Sequence, residues 1–384
     1  MRKLFYEDIT ITDFTATVIS CEPVPDQKLY GILLDATAFF PEEGGQSADK
    51  GTLNEQIVKD VQIENDLIYH YVDKPFAPGD TVTGHVDWEQ RFDFMQQHSG
   101  EHIVSGLVHA RFGYNNVGFH LSVNEVTLDF NGPLTPEDIR EIELLANQAI
   151  YRNLPIKISY PTKEELEGLA YRSKIEIDGQ IRIVTIPGVD VCACCAPHVA
   201  TTGAIGIIKI TNCQSHRGGV RLNILCGQRA LMDYNKKQDS VTAVSVALSA
   251  KPDFIGDAVL KLKEDMLKQK ERINALQAQC LEVCISTLPS PLESENALLF
   301  VDPMDTIAIR NTVNQLSERY TGYCAVFSGN EETGYQFIIG SSQKDCRALA
   351  QTLRETFGAK GGGSTSMIQG SVAASKERIE TLWN

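Results

Sequence analysis

The stretch Gln97-His98-Ser99-Gly100-Glu101-His102 lies in the middle of a long helical pattern, and the rest of the chain is best understood from it. The pattern follows Asp87, a residue type suited to capping a helix N-terminus, and runs to about Gly113. Residues four apart on a helix point the same way, so the imidazoles of His98 and His102 can meet one metal ion. Such pairs also arise by chance, and by itself this one is weak evidence.

A second group of ligand-type side chains lies about ninety residues later, in residues 190–198, Asp-Val-Cys-Ala-Cys-Cys-Ala-Pro-His. Two histidines together with a cysteine and a histidine form a borderline-soft donor set that suits zinc. The spacing favours Cys194 and His198, with Cys192 and Cys195 as alternatives. The competing interpretation is a loop of small buried cysteines beside an unrelated histidine. We predict one zinc ion per chain, with four ligands: His98, His102, Cys194 and His198.

The composition is that of a globular chain with more than one domain. Its 384 residues are 42% hydrophobic and 22% charged, and the chain is too long for a single core. Fifty acidic residues against 35 Lys and Arg give a formal charge of -15, so any nucleic-acid contact must be local. Four of the ten cysteines cluster at residues 192–213, which favours a metal site or a reactive thiol over a disulfide framework.

The hydropathy of the chain predicts a cytoplasmic protein without membrane contact. There is no stretch of roughly twenty apolar residues. The first residues reach Glu7 and Asp8 before any apolar core of a signal peptide.

Three parts are predicted along the chain. Residues 1–232 form an α+β domain, divided into a β-rich part (1–88) and a zinc-site part (89–232); residues 233–288 form a helical connector, and residues 289–384 a small α/β domain. In the first part, β-rich runs surround the histidine helix and a second amphipathic helix that follows Thr135. The runs are 16–20, 30–35, 62–64, 67–72, 125–130 and 204–210.

Apolar residues in the connector recur at alternating spacings of three and four for more than three heptads, as in a coiled coil or helical hairpin. This seam consists of Val259, Leu262, Met266, Gln269, Ile273, Leu276, Cys280 and Val283. Gln269 is its single strongly polar member, the kind of residue that fixes register. The pattern fits a homodimer seam and a helix packed along its own domain equally well.

The last part alternates strands and helices, which indicates a small α/β domain. We expect strands at 297–301, 322–327 and 335–339 and helices at 306–320 and 346–357. A glycine-rich loop and a final helix follow.

These motifs resemble the editing domain of alanyl-tRNA synthetases and its free-standing relatives, the AlaX proteins. That family follows its His-x-x-x-His helix and later Cys-x-x-x-His with a Thr-Gly-x-Ile-Gly-x-x-Lys-Ile strand, matched here by residues 202–210. Residues 37–46, Thr-Ala-Phe-Phe-Pro-Glu-Glu-Gly-Gly-Gln, resemble the family's Thr-x-Phe-Tyr-Pro-x-Gly-Gly-Gly-Gln segment. Residues 360–370, Lys-Gly-Gly-Gly-Ser-Thr-Ser-Met-Ile-Gln-Gly, resemble the glycine-rich signature of the C-terminal DHHA1 domain.

The resemblance to a long AlaX protein implies a hydrolase that deacylates alanine tRNA mischarged with serine or glycine. A complete synthetase would carry a class II catalytic domain ahead of these motifs, so we expect no amino-acid activation. The resemblance also implies tRNA binding by the last domain, through Lys360, Gly361, Gly362 and Gly363. From residue 336 onward, six Lys and Arg stand against four Asp and Glu, a local net charge of +2.

Further residues are candidates for the chemistry. Gln46 follows two glycines that allow close backbone approach, and its amide can both donate and accept. Thr37 is a candidate for bonding the serine hydroxyl, because alanine would leave such a group unpaired; a plain β-strand threonine is the alternative. Glu101 could be a general base, but its helical phase lies to one side of His98 and His102. We therefore interpret it as a solvated helix residue.

The chain departs from the family pattern near the expected site. Glu43 occupies the first glycine of the Gly-Gly-Gly-Gln run, and the usual Cys-Gly-Gly-Thr-His reads Cys-Cys-Ala-Pro-His at 194–198. The C-terminal loop also lacks the Arg and Asp often found after its glycines. The four ligand types are retained.

The role of the zinc stays open at this level. Four protein ligands usually make a closed, structural site, whereas a catalytic zinc keeps one position free. Either Cys194 or His198 is displaced, or the ion orients the amino group of the substrate while the water is held elsewhere. Two rival functions are a non-catalytic RNA-binding protein with a structural zinc, and a zinc hydrolase of small acyl compounds.

Overall fold

The computed structural model describes residues 1–25, 27–173 and 180–383, and the chain divides into two units, Met1–Ser240 and Val241–Asn384. Both units combine β-sheets with α-helices, which confirms a mixed α/β fold class. None of the helices in the described part of the chain has the length and apolar character needed to span a bilayer.

The first unit begins with a seven-stranded sheet in the order β6-β5-β9-β2-β3-β8-β7. Burial alternates along β2, where Phe14, Ala16 and Val18 point into the core, as the twofold period of a strand requires. A two-stranded parallel pair, β1 with β4, lies beside it. The elements are β1 Arg2–Lys3, α1 Leu4–Glu7, β2 Asp13–Pro23, β3 Tyr30–Leu34, β4 Ala36–Thr37, β5 Gly51–Leu53, β6 Gln56–Val58, β7 Asp60–Glu64, β8 Leu67–Val72 and β9 Thr81–Val86.

A second layer follows in the same unit, where two helices pack on a four-stranded antiparallel sheet in the order β10-β11-β16-β15. A three-stranded sheet, β12-β13-β14, completes the unit. The elements are α2 Trp88–Phe112, β10 Asn116–Leu121, β11 Val126–Phe130, α3 Pro136–Tyr151, β12 Lys157–Ser159, α4 Lys163–Glu167, β13 Ile183–Ile186, β14 Asp190–Ala193, β15 Ile208–His216, β16 Gly219–Cys226 and α5 Gly227–Leu248.

Local chemistry explains where the two main helices begin and end. The Asp87 side chain accepts a hydrogen bond from the Gln90 amide at the start of α2, and Gly113 ends the helix in the left-handed conformation. Thr135 and Asp138 form a reciprocal capping box at the start of α3. Both predicted helices are therefore confirmed, α2 with nearly the predicted ends.

The predicted strand at 204–210 is only partly correct. Residues Thr202–Ile205 form a 3-10 turn, and the strand β15 begins at Ile208. Gly206, with φ 85°, breaks the extended path between them. The Thr202 hydroxyl donates to the Ala149 carbonyl, 2.7 Å away, which ties this turn to α3.

The second unit contains a five-stranded sheet in the order β17-β18-β19-β21-β20, parallel only between β17 and β18. Alternate residues of β18 face opposite sides: Val326 packs in the core with α7, and Phe327 packs in the core with α8. The elements are α6 Ile255–Ser286, β17 Ala297–Val301, α7 Thr306–Ser317, β18 Cys324–Asn330, β19 Gly334–Gly340, α8 Cys346–Phe357, β20 Lys360–Gly363, β21 Met367–Val372 and α9 Lys376–Glu380.

The expected glycine-rich loop of this unit is wrong. Residues Lys360–Gly363 form the edge strand β20, which pairs antiparallel with β21. Side chains would not fit at two positions, because a Cβ would lie 2.2 Å from the Gln369 carbonyl oxygen at Gly361 and 2.2 Å from that of Met367 at Gly363. The glycines thus let two strands approach closely, a use that their composition does not distinguish from a loop.

Helix α6 leaves the predicted seam exposed. Val259, Leu262, Met266, Ile273, Leu276 and Val283 are each at least 46% exposed. Of the 32 residues in this helix, Leu281 and Ile285 are buried. The alternative of a seam packed along its own domain is therefore wrong for residues 259–276.

Candidate metal centre

Four predicted ligands come together in the first unit. The ligand atoms of His98, His102, Cys194 and His198 all lie within 4.8 Å of one another. The ring centroids of His98 and His102, one helical turn apart on α2, are 5.6 Å apart, and that of His198 lies 4.7 Å from His102. The three histidines are buried, whereas Cys194 is partly exposed. The arrangement is a compact donor set that could hold one metal ion.

Each histidine of the cluster has an outer partner on its Nδ1 atom. His98 Nδ1 lies 2.9 Å from Gln46 Oε1, His102 Nδ1 lies 2.8 Å from Asp190 Oδ2, and His198 Nδ1 lies 3.2 Å from Ser99 Oγ. These contacts fix the ring orientations and leave the Nε2 atoms for the cluster. His198 Nε2 is buried without a hydrogen-bond partner among the described residues, as expected of an atom that coordinates a metal.

Asp190 has a further partner of its own. Arg172 Nε and Nη2 donate to the two Asp190 carboxylate oxygens at 2.8 and 2.9 Å, so the carboxylate is held on both sides. Burial opposes the charged form of Asp190, but hydrogen bonds from His102 and Arg172 outweigh it and lower the Asp190 pKa. Burial also acts to lower the pKa of His102. The hydrogen bond to Asp190 and the contacts with Cys194 and Glu101 together outweigh burial and raise this pKa to about 10.

The other half of the cluster is less basic. Burial lowers the pKa of His198 to about 3, so this imidazole is neutral. Burial would raise the pKa of the Cys194 thiol, but the electrostatic effect of His98 and a hydrogen bond from His102 hold it well below its usual value. A thiolate beside neutral imidazole is the form in which these side chains bind metals.

The loop that carries Cys194 is held by Arg182. Its Nη1 atom donates to the carbonyl oxygens of Cys194 and Ala196 at 2.7 and 3.0 Å, and the Cys194 amide donates to the Arg182 carbonyl at 3.0 Å. The guanidinium also lies over the Tyr6 ring, 5.3 Å from its centroid. The backbone of the loop that carries Cys194 is thus held by Arg182, the residue before β13.

Gln46 reaches the cluster from a tight turn. The Gln46 Oε1 atom is taken by His98, and Gln46 Nε2 is buried without a hydrogen-bond partner among the described residues. The preceding Gly45 has φ 83°, and a Cβ there would lie 2.4 Å from the Phe119 carbonyl oxygen. The expected close approach of these glycines is therefore present, but the Gln46 amide offers a substrate only N–H groups.

Thr37 lies in strand β4, completely buried. Its Oγ1 atom is 2.7 Å from His70 Nε2 and accepts a hydrogen bond from the Phe39 amide at 3.1 Å. His70 Nδ1 lies 3.1 Å from the Ile32 carbonyl oxygen, and burial lowers the His70 pKa to about 4, so the ring is neutral with its proton on Nδ1. The Thr37 hydroxyl therefore donates to His70.

The interpretation of Glu101 as a solvated residue is wrong. Its side chain is 1% exposed, and Oε1 accepts hydrogen bonds from Ser105 at 2.7 Å and from Asn116 at 2.6 Å. Glu101 Oε2 lies 3.8 Å from His102 Nε2, at the edge of the cluster. Its helical phase was not sufficient to place it, because β10 covers this side of α2 with Asn116.

Sequence reasoning missed a buried ion pair that connects α2 to the segment carrying Gln46. Arg91 and Asp49 are both fully buried; Arg91 Nε lies 2.9 Å from Asp49 Oδ1, and Arg91 Nη2 donates to the Ala38 carbonyl at 2.6 Å. Asp49 also accepts from the Phe40 amide at 2.6 Å. No local sequence signal marks this pair, because its members are 42 residues apart.

The two alternative cysteines lie on either side of Cys194. Cys192 is buried and forms a second potential ligand group with His102 and Asp190. The Cys195 Sγ atom lies 3.2 Å from the position that a Cβ on Gly44 would occupy. Cys192 thus faces the outer shell of His102, and Cys195 faces the turn of Gln46.

The C-terminal candidates lie in the other unit. Lys360, Gly361, Gly362 and Gly363 are exposed along the edge strand β20. Arg354 Nη2 donates to the Gly361 carbonyl oxygen at 3.1 Å, which places a guanidinium beside the glycines.

These features define a class of protein, a mixed α/β fold that holds a cluster of three buried histidines and one cysteine. Two family models match the chain. That of the threonyl and alanyl tRNA synthetase second additional domain matches residues 181–222, which include Cys194 and His198. That of the class II (A) tRNA synthetases matches residues 3–90, which contain the seven-stranded sheet.

Curated relatives extend the similarity over nearly the whole chain. The mouse alanyl-tRNA editing protein Aarsd1 is 28% identical over 397 residues, covering 99% of this chain and 96% of the relative. The protein of the same name from Bos taurus is 31% identical, covering 73% of this chain and 67% of the relative. The alanine-tRNA ligase of Ignicoccus hospitalis is 28% identical, over 99% of this chain and 42% of the ligase. This chain belongs to the family of alanyl-tRNA editing proteins, which confirms the resemblance found in the sequence.

Proposed function

We propose that this protein hydrolyses the ester bond that joins serine, or glycine, to alanine tRNA, with one zinc ion bound by His98, His102, Cys194 and His198. The observation that carries the proposal is the buried cluster with the unpartnered Gln46 amide beside it. An ester hydrolase needs a polarising group and a donor for the developing oxyanion, and both lie side by side here, because Gln46 contacts His98 of the cluster. The names of the relatives, an alanyl-tRNA editing protein and an alanine-tRNA ligase, supply the tRNA, that for alanine.

Zinc fits the residues present. Three imidazoles and one thiolate form a donor set of borderline softness, and all three imidazoles have outer partners of the kind that zinc ligands use. When bound, zinc supplies Lewis-acid polarisation of the reacting groups. Of the four residues that would hold the ion, Cys194 is partly exposed and the three histidines are buried.

The protein's own residues perform the remaining tasks. Gln46 Nε2 donates a hydrogen bond to the ester oxygen as it gains negative charge, while Gln46 Oε1 stays on His98. Glu101 provides a carboxylate oxygen that accepts a hydrogen bond from the attacking water. The Thr37 hydroxyl donates its hydrogen bond to His70. It can therefore only accept a hydrogen bond from the hydroxyl of a serine substrate. Alanine has no hydroxyl to donate to Thr37, so it forgoes this hydrogen bond and is bound less well.

Recognition of tRNA belongs to the C-terminal domain in this proposal, with 1–232 as editing domain, 233–288 as connector and 289–384 as tRNA-binding domain. The edge strand β20 exposes backbone groups on its outer side, where Arg354 donates to the Gly361 carbonyl, and its glycines carry no side chain to hinder a phosphate. Lys360 adds a positive charge at the start of that strand. The exposed seam of α6 joins two copies of the chain, because an apolar helix face of this length is costly to leave in water.

A deacylation assay against a panel of aminoacylated tRNAs tests the proposal. Zinc-loaded protein should hydrolyse seryl- and glycyl-tRNA for alanine at least a hundredfold faster than correctly charged alanyl-tRNA, and chelation should abolish the activity. Binding of tRNA without hydrolysis of any ester would support the rival of a non-catalytic RNA-binding protein. Hydrolysis of small acyl esters but of no aminoacyl-tRNA would support the second rival.

A further inference from the structure

Glu43 stands directly opposite Gln46 in the turn beside the metal cluster. The two residues exchange both backbone hydrogen bonds, Glu43 N to Gln46 O at 3.2 Å and Gln46 N to Glu43 O at 3.1 Å. Between them, Gly44 and Gly45 both have positive φ, as a type I′ turn requires. Residues paired in this way have Cα atoms about 5.5 Å apart and side chains on the same face of the ribbon. The Glu43 carboxylate therefore rises on the same side as the Gln46 amide.

The surroundings of Glu43 place it next to the ligand loop. Cys195, the neighbour of the ligand Cys194, touches the turn at Gly44. The turn and the ligand loop therefore meet at Gly44 and Cys195.

The charge of Glu43 is not neutralised by the protein. No lysine, arginine or histidine among the described residues forms an ion pair with Glu43. Arg182, the nearest guanidinium of the ligand loop, donates to the carbonyl oxygens of Cys194 and Ala196 instead. A half-buried carboxylate without a cationic partner, beside a buried amide without an acceptor, forms a two-part site for a ligand with a cation and a carbonyl group close together.

We infer that Glu43 binds the α-ammonium group of the aminoacyl ester while Gln46 binds its carbonyl oxygen, so that the site selects esters with a free α-amino group. The inference rests on the proposed function and specifies which part of the substrate the turn recognises. In an amino-acid ester the ammonium group is carried by the carbon next to the carbonyl carbon. This short separation matches two side chains on the same face of one turn.

Recognition of the α-ammonium group would exclude tRNA esters in which this group is blocked. A blocked amino group, as in peptidyl-tRNA, carries no positive charge and would place a neutral amide against the half-buried Glu43 carboxylate. Such esters would lose a charge-assisted hydrogen bond and bind poorly. Recognition of the α-amino group does not distinguish a serine ester from an alanine ester, so other contacts in the site must separate the two.

A pair of isosteric substrates tests the inference on the metal-loaded protein. Seryl-tRNA is compared with its analogue in which a hydroxyl replaces the α-amino group, and kcat/KM is measured for both. In Glu43→Gln the preference for the amino substrate should fall by about 10- to 100-fold relative to the wild type, the range of one charge-assisted hydrogen bond, with unchanged zinc content. Comparing ratios between proteins cancels the different intrinsic reactivity of the two esters.

Binding and a neighbouring carboxylate supply the controls. The amide-linked, non-hydrolysable seryl-adenosine analogue should bind Glu43→Gln about tenfold or more weakly, measured by calorimetry. Glu42→Gln removes the adjacent exposed carboxylate and should match the wild type in both assays. An unchanged preference in Glu43→Gln would overturn the inference and transfer recognition of the amino group to the metal. If the wild type hydrolyses neither ester, the proposed function itself fails.

Discussion

The two longest helices of the chain, α2 and α6, have opposite relations between polarity and exposure. In the 25-residue α2, polar side chains are buried, among them Arg91, Gln97, His98 and Glu101. In the 32-residue α6, apolar side chains such as Leu262 and Met266 are exposed. Each helix breaks the usual rule that apolar groups are buried and polar ones solvated. Each therefore indicates a missing partner of a different kind.

Buried polar groups are stable only when hydrogen-bonded, paired or coordinated, and most of those on α2 have partners. Gln97, for example, donates to the Cys226 carbonyl and accepts from its amide. At the cluster, His198 Nε2 and Gln46 Nε2 are buried without a hydrogen-bond partner among the described residues. A metal would satisfy the first atom and a substrate the second. On α6 the groups without a partner are exposed apolar side chains, which a second helix would cover.

Removal of a ligand from α2 should have the largest effect. His98→Ala and His102→Ala should each lose the bound metal and at least a thousandfold of deacylation activity, because three remaining ligands no longer fix the ion beside Gln46. Zinc analysis together with a seryl-tRNA assay measures both. His109→Ala, an exposed histidine two turns further along α2, is the matched control and should keep both. Activity that survives without metal would remove zinc from the mechanism.

Breaking the buried ion pair should have the next largest effect. Asp49→Ala should lower the free energy of unfolding by about 3–5 kcal/mol, because it leaves the Arg91 guanidinium buried and unpaired. Asp73→Ala removes an exposed partner of Lys59 and should cost less than about 1 kcal/mol. Denaturant unfolding followed by circular dichroism compares the two. Equal losses in both variants would contradict the importance assigned to the buried pair.

The affinity for zinc should depend on pH through His102. In the metal-free cluster the Asp190 hydrogen bond raises the His102 pKa to about 10, so below that pH the metal must displace one proton. The association constant should therefore rise about tenfold per pH unit between pH 7 and 9, as measured by competition with a chelator. Asp190→Asn removes the cause and should flatten the slope. A slope of zero in the wild type would show that His102 is already neutral.

Changes on the exposed face of α6 should have the smallest effect on catalysis. Leu262→Lys with Ile273→Lys should convert a dimer to a monomer in sedimentation analysis and leave seryl-tRNA hydrolysis per chain within about twofold of wild type. Lys263→Glu, on the same helix outside the seam, should leave the dimer intact. A wild-type protein that is monomeric at micromolar concentration would contradict the dimer seam.

The contrast between the helices also explains what sequence could and could not predict. The ends of α2 follow from local capping at Asp87 and Gly113, and the meeting of the four candidate ligands follows from helical spacing combined with family resemblance. The burial of Glu101 and the pairing of Arg91 with Asp49 depend on tertiary contacts, with β10 and with the segment before β5, that no local pattern marks. The strand at Lys360–Gly363 was missed because close strand approach and a free loop both favour glycine.

Zinc titration into chelator-treated protein tests the central claim most directly. Seryl-tRNA hydrolysis for alanine tRNA should be absent without metal and rise in proportion to bound zinc until one ion per chain, where it stops. His98→Ala should show no rise at the same zinc concentrations. Full hydrolysis by protein shown to contain no metal, or activity that rises without saturating at one ion per chain, would contradict the assignment of His98, His102, Cys194 and His198 as the hydrolytic centre.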